Sequence, residues 1–135
     1  VSISVNISAH LGDIPGITVM QVGGILYGNT LSVLGAEASS TIESIYCSKV
    51  FFGVDGLDLE YGITCGTGEE ASITQKMMQS SQTSIVLCDS SKLGKRGFAR
   101  ICEIGDIDIL ITDSGMPMEA RRRIENLGVK LIIAE

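Results

Sequence analysis

The chain has 135 residues, of which 44% are hydrophobic and 19% charged, and it carries a formal net charge of −6. This composition predicts one globular domain with a buried core, without an apolar run of the roughly 20 residues needed to span a bilayer. The acidic balance argues against a nucleic-acid surface, which needs clustered Lys and Arg. Four cysteines without a CxxC pair, and a single His, argue against a metal site or a disulfide framework and favour a reducing cytoplasm. No cofactor is expected.

The first third of the chain has weak periodicity. It predicts a short strand at Val1–Ser4, a helix at Ile7–Leu11, a strand at Ile17–Val22 and a helix at Ala36–Ile45. Leu26–Gly35 has no clear assignment apart from a turn. We therefore expect this part to contribute strands and helices in alternation.

The rest of the chain alternates more clearly. It predicts strands at Lys49–Val54, Ile85–Cys88, Asp108–Thr112 and Val129–Ala134, helices at Glu69–Ser80 and Pro117–Gly128, a loop at Leu57–Gly68, an exposed basic loop at Gly94–Gly97 and an extended stretch at Phe98–Ile104. Alternating strands and helices are typical of an α/β fold with a Rossmann-like, mainly parallel sheet flanked by helices.

A polar segment, Asp89–Lys92, which we call the hook, follows the apolar strand Ile85–Cys88. Four apolar residues without alternation indicate a strand covered on both faces, as in a parallel sheet. Asp89 and Lys92 would lie just past its carboxyl end, where ligands bind in open α/β sheets. A carboxylate accepts hydrogen bonds from sugar hydroxyls and an ammonium group attracts phosphate. The alternative is that Asp89 caps the next turn and Lys92 is solvated.

Four further acidic residues either face the same crevice or have a structural role. Asp55 follows the strand Lys49–Val54, where it either faces the same crevice as Asp89 or shapes a turn. Glu69 and Glu70 lie in the first turn of a predicted helix, where negative charge offsets the helix dipole. That role accounts for one of them and leaves the other to face the crevice. Asp113 is interpreted as a turn or cap residue outside the site.

Five short runs follow the order and spacing of one known domain: Lys49–Asp58, Gly62–Thr64, Glu69–Ala71, Asp89–Lys92 and Ile109–Asp113. Together they resemble the C-terminal effector-binding domain of the DeoR family of bacterial transcriptional repressors. The resemblance implies a sensor of a phosphorylated sugar or related catabolite, a homo-oligomer, and DNA binding only through an N-terminal helix-turn-helix domain.

The resemblance carries four ligand-binding positions to this sequence. Lys92 would attract the phosphate, Asp55 and Asp89 would accept hydroxyl hydrogen bonds, and Glu70 would orient Lys92 or another hydroxyl. It also implies that residues 1–135 are a sensor domain truncated at its N-terminus, because the helix-turn-helix and the first βα unit, with its Gly-Thr-Thr phosphate loop, have no counterpart in this sequence.

A second resemblance, more distant, is to ribose-5-phosphate isomerases, and it implies a fold of the isomerase and CoA-transferase type. Those enzymes carry an Asp-Gly-Ala-Asp run and a Gly loop with a Lys. Here Phe52–Asp55 keeps only the second Asp, and Gly62–Gly68 has no Lys. Isomerisation needs a base and groups that stabilise an enediolate, so we expect binding without turnover. An isomerase-like enzyme and an oligomerisation module with a vestigial pocket remain the alternatives.

Overall fold

The computed structural model of the chain describes residues 1–134. Contacts divide the chain into two compact units, one spanning Val1–Ile45 and one that begins at Tyr46. Among the described residues, no helix combines the length and the apolar character that crossing a membrane requires.

The first unit is built on a small antiparallel hairpin. Its elements are α1 (Val5–Gly12), β1 (Ile25–Tyr27), β2 (Ser32–Leu34) and α2 (Ala36–Glu43). β1 pairs with β2, and Val33, Leu34, Ala38 and Ile42 are buried. The two helices confirm the sequence prediction.

The strands predicted for the first unit are wrong. Residues 1–4 and 17–22 pair only at isolated bridges, Ser2 with Gln21 and Ser4 with Ser32, so neither forms a ladder. The hairpin instead occupies the stretch that the sequence left unassigned. Its strands have three residues each, too few for alternation to show.

The second unit combines two sheets. Its elements are β3 (Cys47–Gly53), β4 (Gly56–Asp58), β5 (Gly62–Cys65), α3 (Gly68–Gln79), β6 (Ser81–Leu87), β7 (Ala99–Cys102), β8 (Ile109–Asp113), α4 (Met118–Asn126) and β9 (Lys130–Ala134), with short 3-10 turns at Ser90–Lys92 and Ile104–Asp106. A four-stranded sheet has the order β3-β6-β8-β9, and all its neighbours are parallel. The predicted α/β fold with a Rossmann-like parallel sheet is confirmed.

The core lies on one face of the parallel sheet. Phe52, Val86 and Leu110 are in register across neighbouring strands, and they are buried with residues of α3 and α4. The other face is less covered, because Phe51 is 57% and Leu87 is 47% exposed. The expectation that β6 is covered on both faces therefore fails at Leu87.

The second sheet corrects the loop predicted at Leu57–Gly68. β4, β5 and β7 form an antiparallel sheet in that order. Leu57, Ile63 and Thr64 are fully buried, whereas the acidic residues cluster at the turn between β4 and β5. There Asp58 Oδ1 accepts hydrogen bonds from the backbone N–H groups of Glu60 and Tyr61. Turn residues thus mark a hairpin tip and not a long loop.

Candidate ligand-binding site

Three aspartates follow three neighbouring parallel strands at the same offset. Gly53 is in register with Leu87, and Leu87 with Ile111. Two residues further along each chain segment come Asp55, Asp89 and Asp113. The carboxyl ends of parallel strands meet at one sheet edge, which is where open α/β sheets bind ligands.

Asp89 begins the hook after β6. Its Oδ1 accepts a hydrogen bond of 2.9 Å from the Ser91 N–H, and residues Ser90–Lys92 form a 3-10 turn. Hydrogen bonds from Ser91, and to a smaller extent the charge of Lys92, hold the pKa of Asp89 below its usual value. The capping interpretation is therefore confirmed, while Asp89 remains exposed to solvent.

Asp113 anchors the same hook. Its Oδ2 accepts a 2.6 Å hydrogen bond from the Ser90 N–H, and its Oδ1 accepts from Ser90 Oγ at 2.8 Å and from the Gly115 N–H at 2.7 Å. These bonds, those from Ser90 foremost, lower the pKa of Asp113. The bond from Gly115 confirms the turn interpretation, but the two bonds from Ser90 were not foreseen. The signal that was missed is the equal offset of the three aspartates.

Lys92 ends the 3-10 turn and is half-buried. Within residues 1–134 no carboxylate lies within ion-pair distance of its ammonium group. The expected orientation of Lys92 by Glu70 is thus not realised as an ion pair. A half-buried ammonium group without a direct ion-pair partner attracts an anion more strongly than a solvated one.

The loop after Lys92 has exposed basic side chains, as predicted, but its backbone is fixed. The Gly94 N–H donates to the Leu57 carbonyl at 2.8 Å, and the Gly97 N–H donates to Thr64 Oγ1 at 2.7 Å. Arg96 Nε donates to Asp58 Oδ2 at 2.8 Å. The hydrogen bond from Arg96, with those from the hairpin turn, lowers the pKa of Asp58 from 3.8 to about 2.

Glu70 and Asp55 converge on Gly66. A Cβ at Gly66 would lie 3.4 Å from Glu70 Oε2 and 3.5 Å from Asp55 Oδ2. Glu70 Oε2 also accepts from the Thr67 N–H at 3.1 Å and completes a capping box at the start of α3. Among the described residues, no side-chain hydrogen bond to the exposed Asp55 carboxylate is found.

The four predicted ligand-binding residues therefore lie in two pairs. Asp55 and Glu70 each place a carboxylate oxygen beside Gly66, while Asp89 and Lys92 share the hook. A bridge between Leu57 and Leu93 joins β4 to the segment that follows the hook. In the described part of the chain, no group of three or more His, Cys, Asp or Glu residues could hold a metal ion.

The thiol of Cys65 lies beside this site. Cys65 is buried, and its Sγ donates to the Thr67 carbonyl at 3.3 Å. Burial raises the pKa of Cys65, and the nearby charges of Glu70 and Asp55 raise it further. Because the thiolate is the reactive form, the raised pKa lowers the reactivity of this sulfur.

Comparisons with known proteins find a matching family model and relatives among transcriptional regulators. Residues 1–114 match the family model described as the DeoR C terminal sensor domain. The chain is 33% identical over 133 residues to the HTH-type transcriptional repressor GlcR of Bacillus subtilis (strain 168), an alignment that covers 98% of this chain and 51% of that protein.

Two further relatives are transcriptional regulators. The HTH-type transcriptional regulator GlpR of Haloferax volcanii is 32% identical over 84% of this chain and 45% of its own length. The uncharacterized HTH-type transcriptional regulator YulB of Bacillus subtilis (strain 168) is 31% identical over 95% of this chain and 50% of its own length. The chain thus spans about half the length of the curated relatives it matches. On the match over residues 1–114, the chain belongs to the DeoR family of transcriptional regulators and carries that family's C-terminal sensor domain.

Proposed function

We propose that this sensor domain binds a phosphorylated sugar or a related catabolite and thereby controls DNA binding by a helix-turn-helix domain of the same regulator. The observation that carries the proposal is Lys92, a half-buried ammonium group without an ion-pair partner among the described residues, in a hook held by hydrogen bonds. It is a suitable position for a phosphate group.

Carboxylates supply the sugar-binding half of the proposal. Asp55 has unused acceptor capacity at the same sheet edge, and Glu70 points to the same place across Gly66. Asp89 accepts the capping hydrogen bond from Ser91 with one carboxylate oxygen, and its side chain remains exposed. Sugar hydroxyls are donors that such oxygens accept, so the proposed orientation puts the phosphate at Lys92 and the hydroxyls at Asp55, Glu70 and Asp89.

The proposed ligand would act by shifting a conformational equilibrium. A ligand changes DNA affinity only to the extent that it binds one arrangement of the protein more tightly than the other. The named relatives are regulators, which supports sensing over turnover. The isomerase alternative is not favoured, because Gly62–Gly68 forms strand β5 and the start of α3 in place of a Lys-bearing loop.

Self-association is also part of the proposal. Tyr46, Phe51 and Phe98 are 72%, 57% and 86% exposed, respectively. Exposed apolar side chains mark an interaction surface where they form a contiguous patch. We propose a homo-oligomer of the complete regulator in the cytoplasm, and sedimentation equilibrium gives its mass; a monomer at micromolar concentration would contradict it.

The test is a thermal-shift screen of the full-length regulator against sugars, sugar phosphates and inorganic phosphate. A ligand at 100 times its dissociation constant stabilises the protein by about 2.7 kcal/mol, a shift of several degrees. We expect a selective shift by one phosphorylated compound that disappears in Lys92→Ala.

Lys95→Ala is the matched control, because Lys95 is an exposed lysine of the same loop. The Lys95→Ala protein should show the same thermal shift as wild type. In a separate DNA-binding assay, the active compound should change the affinity of the full-length regulator for its operator. If no compound shifts the wild type, or if Lys92→Ala and wild type respond equally, the proposed site is wrong.

A further inference from the structure

Thr64 lies at the junction between the two groups of candidate ligand residues. It is in β5 and fully buried, with 0% of its surface exposed. Its backbone carbonyl accepts a hydrogen bond of 3.0 Å from the Asp55 N–H. Its hydroxyl oxygen accepts a hydrogen bond of 2.7 Å from the Gly97 N–H and donates to the Gly56 carbonyl at 3.4 Å. One residue therefore contacts both the Asp55 turn and the loop that follows Lys92.

The backbones around Thr64 approach too closely for other side chains to intervene. A Cβ at Gly56 would lie 2.3 Å from the Lys95 carbonyl oxygen and 2.6 Å from Thr64 Oγ1. A Cβ at Gly97 would lie 2.5 Å from the Cys65 carbonyl oxygen. Glycine is required where backbones meet at such distances. The Thr64 hydroxyl is thus enclosed by the two segments and fixes their separation.

A second buried threonine shows that burial alone does not explain the arrangement. Thr112, in β8, is 3% exposed, yet its Oγ1 has no hydrogen-bond partner in the described structure. The Thr64 hydroxyl, in contrast, uses both its donor and an acceptor position. Removing a hydroxyl that satisfies a buried N–H costs more than removing one that satisfies nothing.

We propose that Thr64 is a positioning residue that sets the distance between Asp55 and the Lys92 loop, and so between the hydroxyl-binding and phosphate-binding ends of the site. The effect of Thr64 on ligand affinity rests on the proposed function, whereas its role in holding Gly97 against β5 does not. Without the hydroxyl the Gly97 N–H loses its acceptor, and the loop is free to move relative to β5. A ligand that spans both ends would then lose affinity more than one that occupies the Lys92 end alone.

The first experiment needs no ligand. In the full-length regulator, amide hydrogen exchange followed by NMR or mass spectrometry should show the Gly97 N–H protected to the same degree as the β5 ladder. Thr64→Val keeps the side-chain shape and should raise the Gly97 exchange rate at least tenfold, whereas Thr64→Ser keeps the hydroxyl and should restore protection. Thr112→Val removes an equally buried hydroxyl and should leave Gly97 unchanged.

The second experiment compares two probes, inorganic phosphate and ribose 5-phosphate, by calorimetry. We expect Thr64→Val to lower the affinity for ribose 5-phosphate about tenfold and the affinity for inorganic phosphate by less than threefold. Thr64→Ser and Thr112→Val should bind both probes with wild-type affinity. A general loss of stability would weaken both probes alike, so this difference separates positioning from folding.

The outcomes distinguish the two proposals. An unprotected Gly97 N–H in the wild type, or equal exchange in Thr64→Val and wild type, overturns the role of Thr64 whatever the ligand. Wild-type binding of both probes that is unchanged in Thr64→Val also overturns it. If neither probe binds the wild type while Gly97 behaves as expected, the structural link stands, and the choice of sugar phosphate as ligand is the part that fails.

Discussion

The carboxyl ends of β3 and β6 carry the same local pattern, an apolar strand followed by an aspartate, but their carboxylates have different surroundings. Asp89 accepts a hydrogen bond from the turn that it begins, and the segment after it is anchored by Asp113. Asp55 has its backbone N–H bound to the Thr64 carbonyl, while no partner for its carboxylate occurs in the described residues. The pattern identifies the sheet edge, and the hydrogen bonds decide which carboxylate is available.

This difference separates residues that build the site from residues free to contact a ligand. Asp113 and Asp89 have lowered pKa values because neighbouring N–H and hydroxyl groups stabilise their charged forms. Substitution of Asp113 or Asp89 should therefore lower the free energy of unfolding. Substitution of Asp55 should lower only the affinity for a ligand. The close contact of Gly56, Thr64 and Gly97 between the two ends is called the clamp here. Substitutions at the two ends and at the clamp test this distinction.

The largest effect is expected at the clamp. Gly97→Ala puts a Cβ 2.5 Å from the Cys65 carbonyl oxygen, and because backbone atoms cannot move aside cheaply, we expect a loss of about 3 kcal/mol or more in the free energy of unfolding. Gly66→Ala is the control, since its nearest contacts are 3.4 and 3.5 Å. It should change stability by less than about 1 kcal/mol. Urea denaturation measures both, and equal midpoints would contradict the close packing of the clamp.

The second comparison sets Asp113→Ala against Asp55→Ala. Asp113→Ala leaves the Ser90 and Gly115 N–H groups without their acceptor, so it should lower the urea midpoint. Asp55→Ala removes an exposed carboxylate without a side-chain partner in the described residues, and it should stay within about 0.5 kcal/mol of wild type. In the ligand screen, Asp55→Ala should lower the affinity for the ligand although its stability is unchanged. A stable Asp113→Ala protein with normal hook geometry would show that the anchor is dispensable.

Sequence patterns located the parallel strands and the sheet edge because each of these strands contains a short apolar run. β3, β6 and β8 lie within a few residues of their predictions. β4 and β5 were missed because they have three and four residues, and the glycine and acidic residues around them resemble loop composition. Asp113 was distinguished from Asp55 because the Ser114-Gly115 pair after it is typical of a turn, and the hydrogen bond from the Gly115 N–H confirms that interpretation. The bonds from Ser90 to Asp113 could not be predicted, because they join residues 23 positions apart in the sequence.

The smallest effect concerns the ion pair on the clamp side. The pKa of Asp58 is lowered from 3.8 to about 2, mainly by the hydrogen bond from Arg96. A carboxylate with a lowered pKa binds protons less tightly in the folded than in the unfolded chain, so its contribution to stability is complete above about pH 5 and disappears as the pH falls towards 2.

Asp58→Asn removes that contribution at every pH. Its urea midpoint should therefore lie below that of wild type at pH 6, and the two curves should approach each other between pH 5 and pH 2. Glu125→Gln, at an exposed carboxylate of α4, is the control and should follow wild type throughout. A gap between Asp58→Asn and wild type that stays constant with pH would mean that Asp58 holds the turn at Glu60 and Tyr61 by its shape, and that its charge on Arg96 contributes nothing to the clamp.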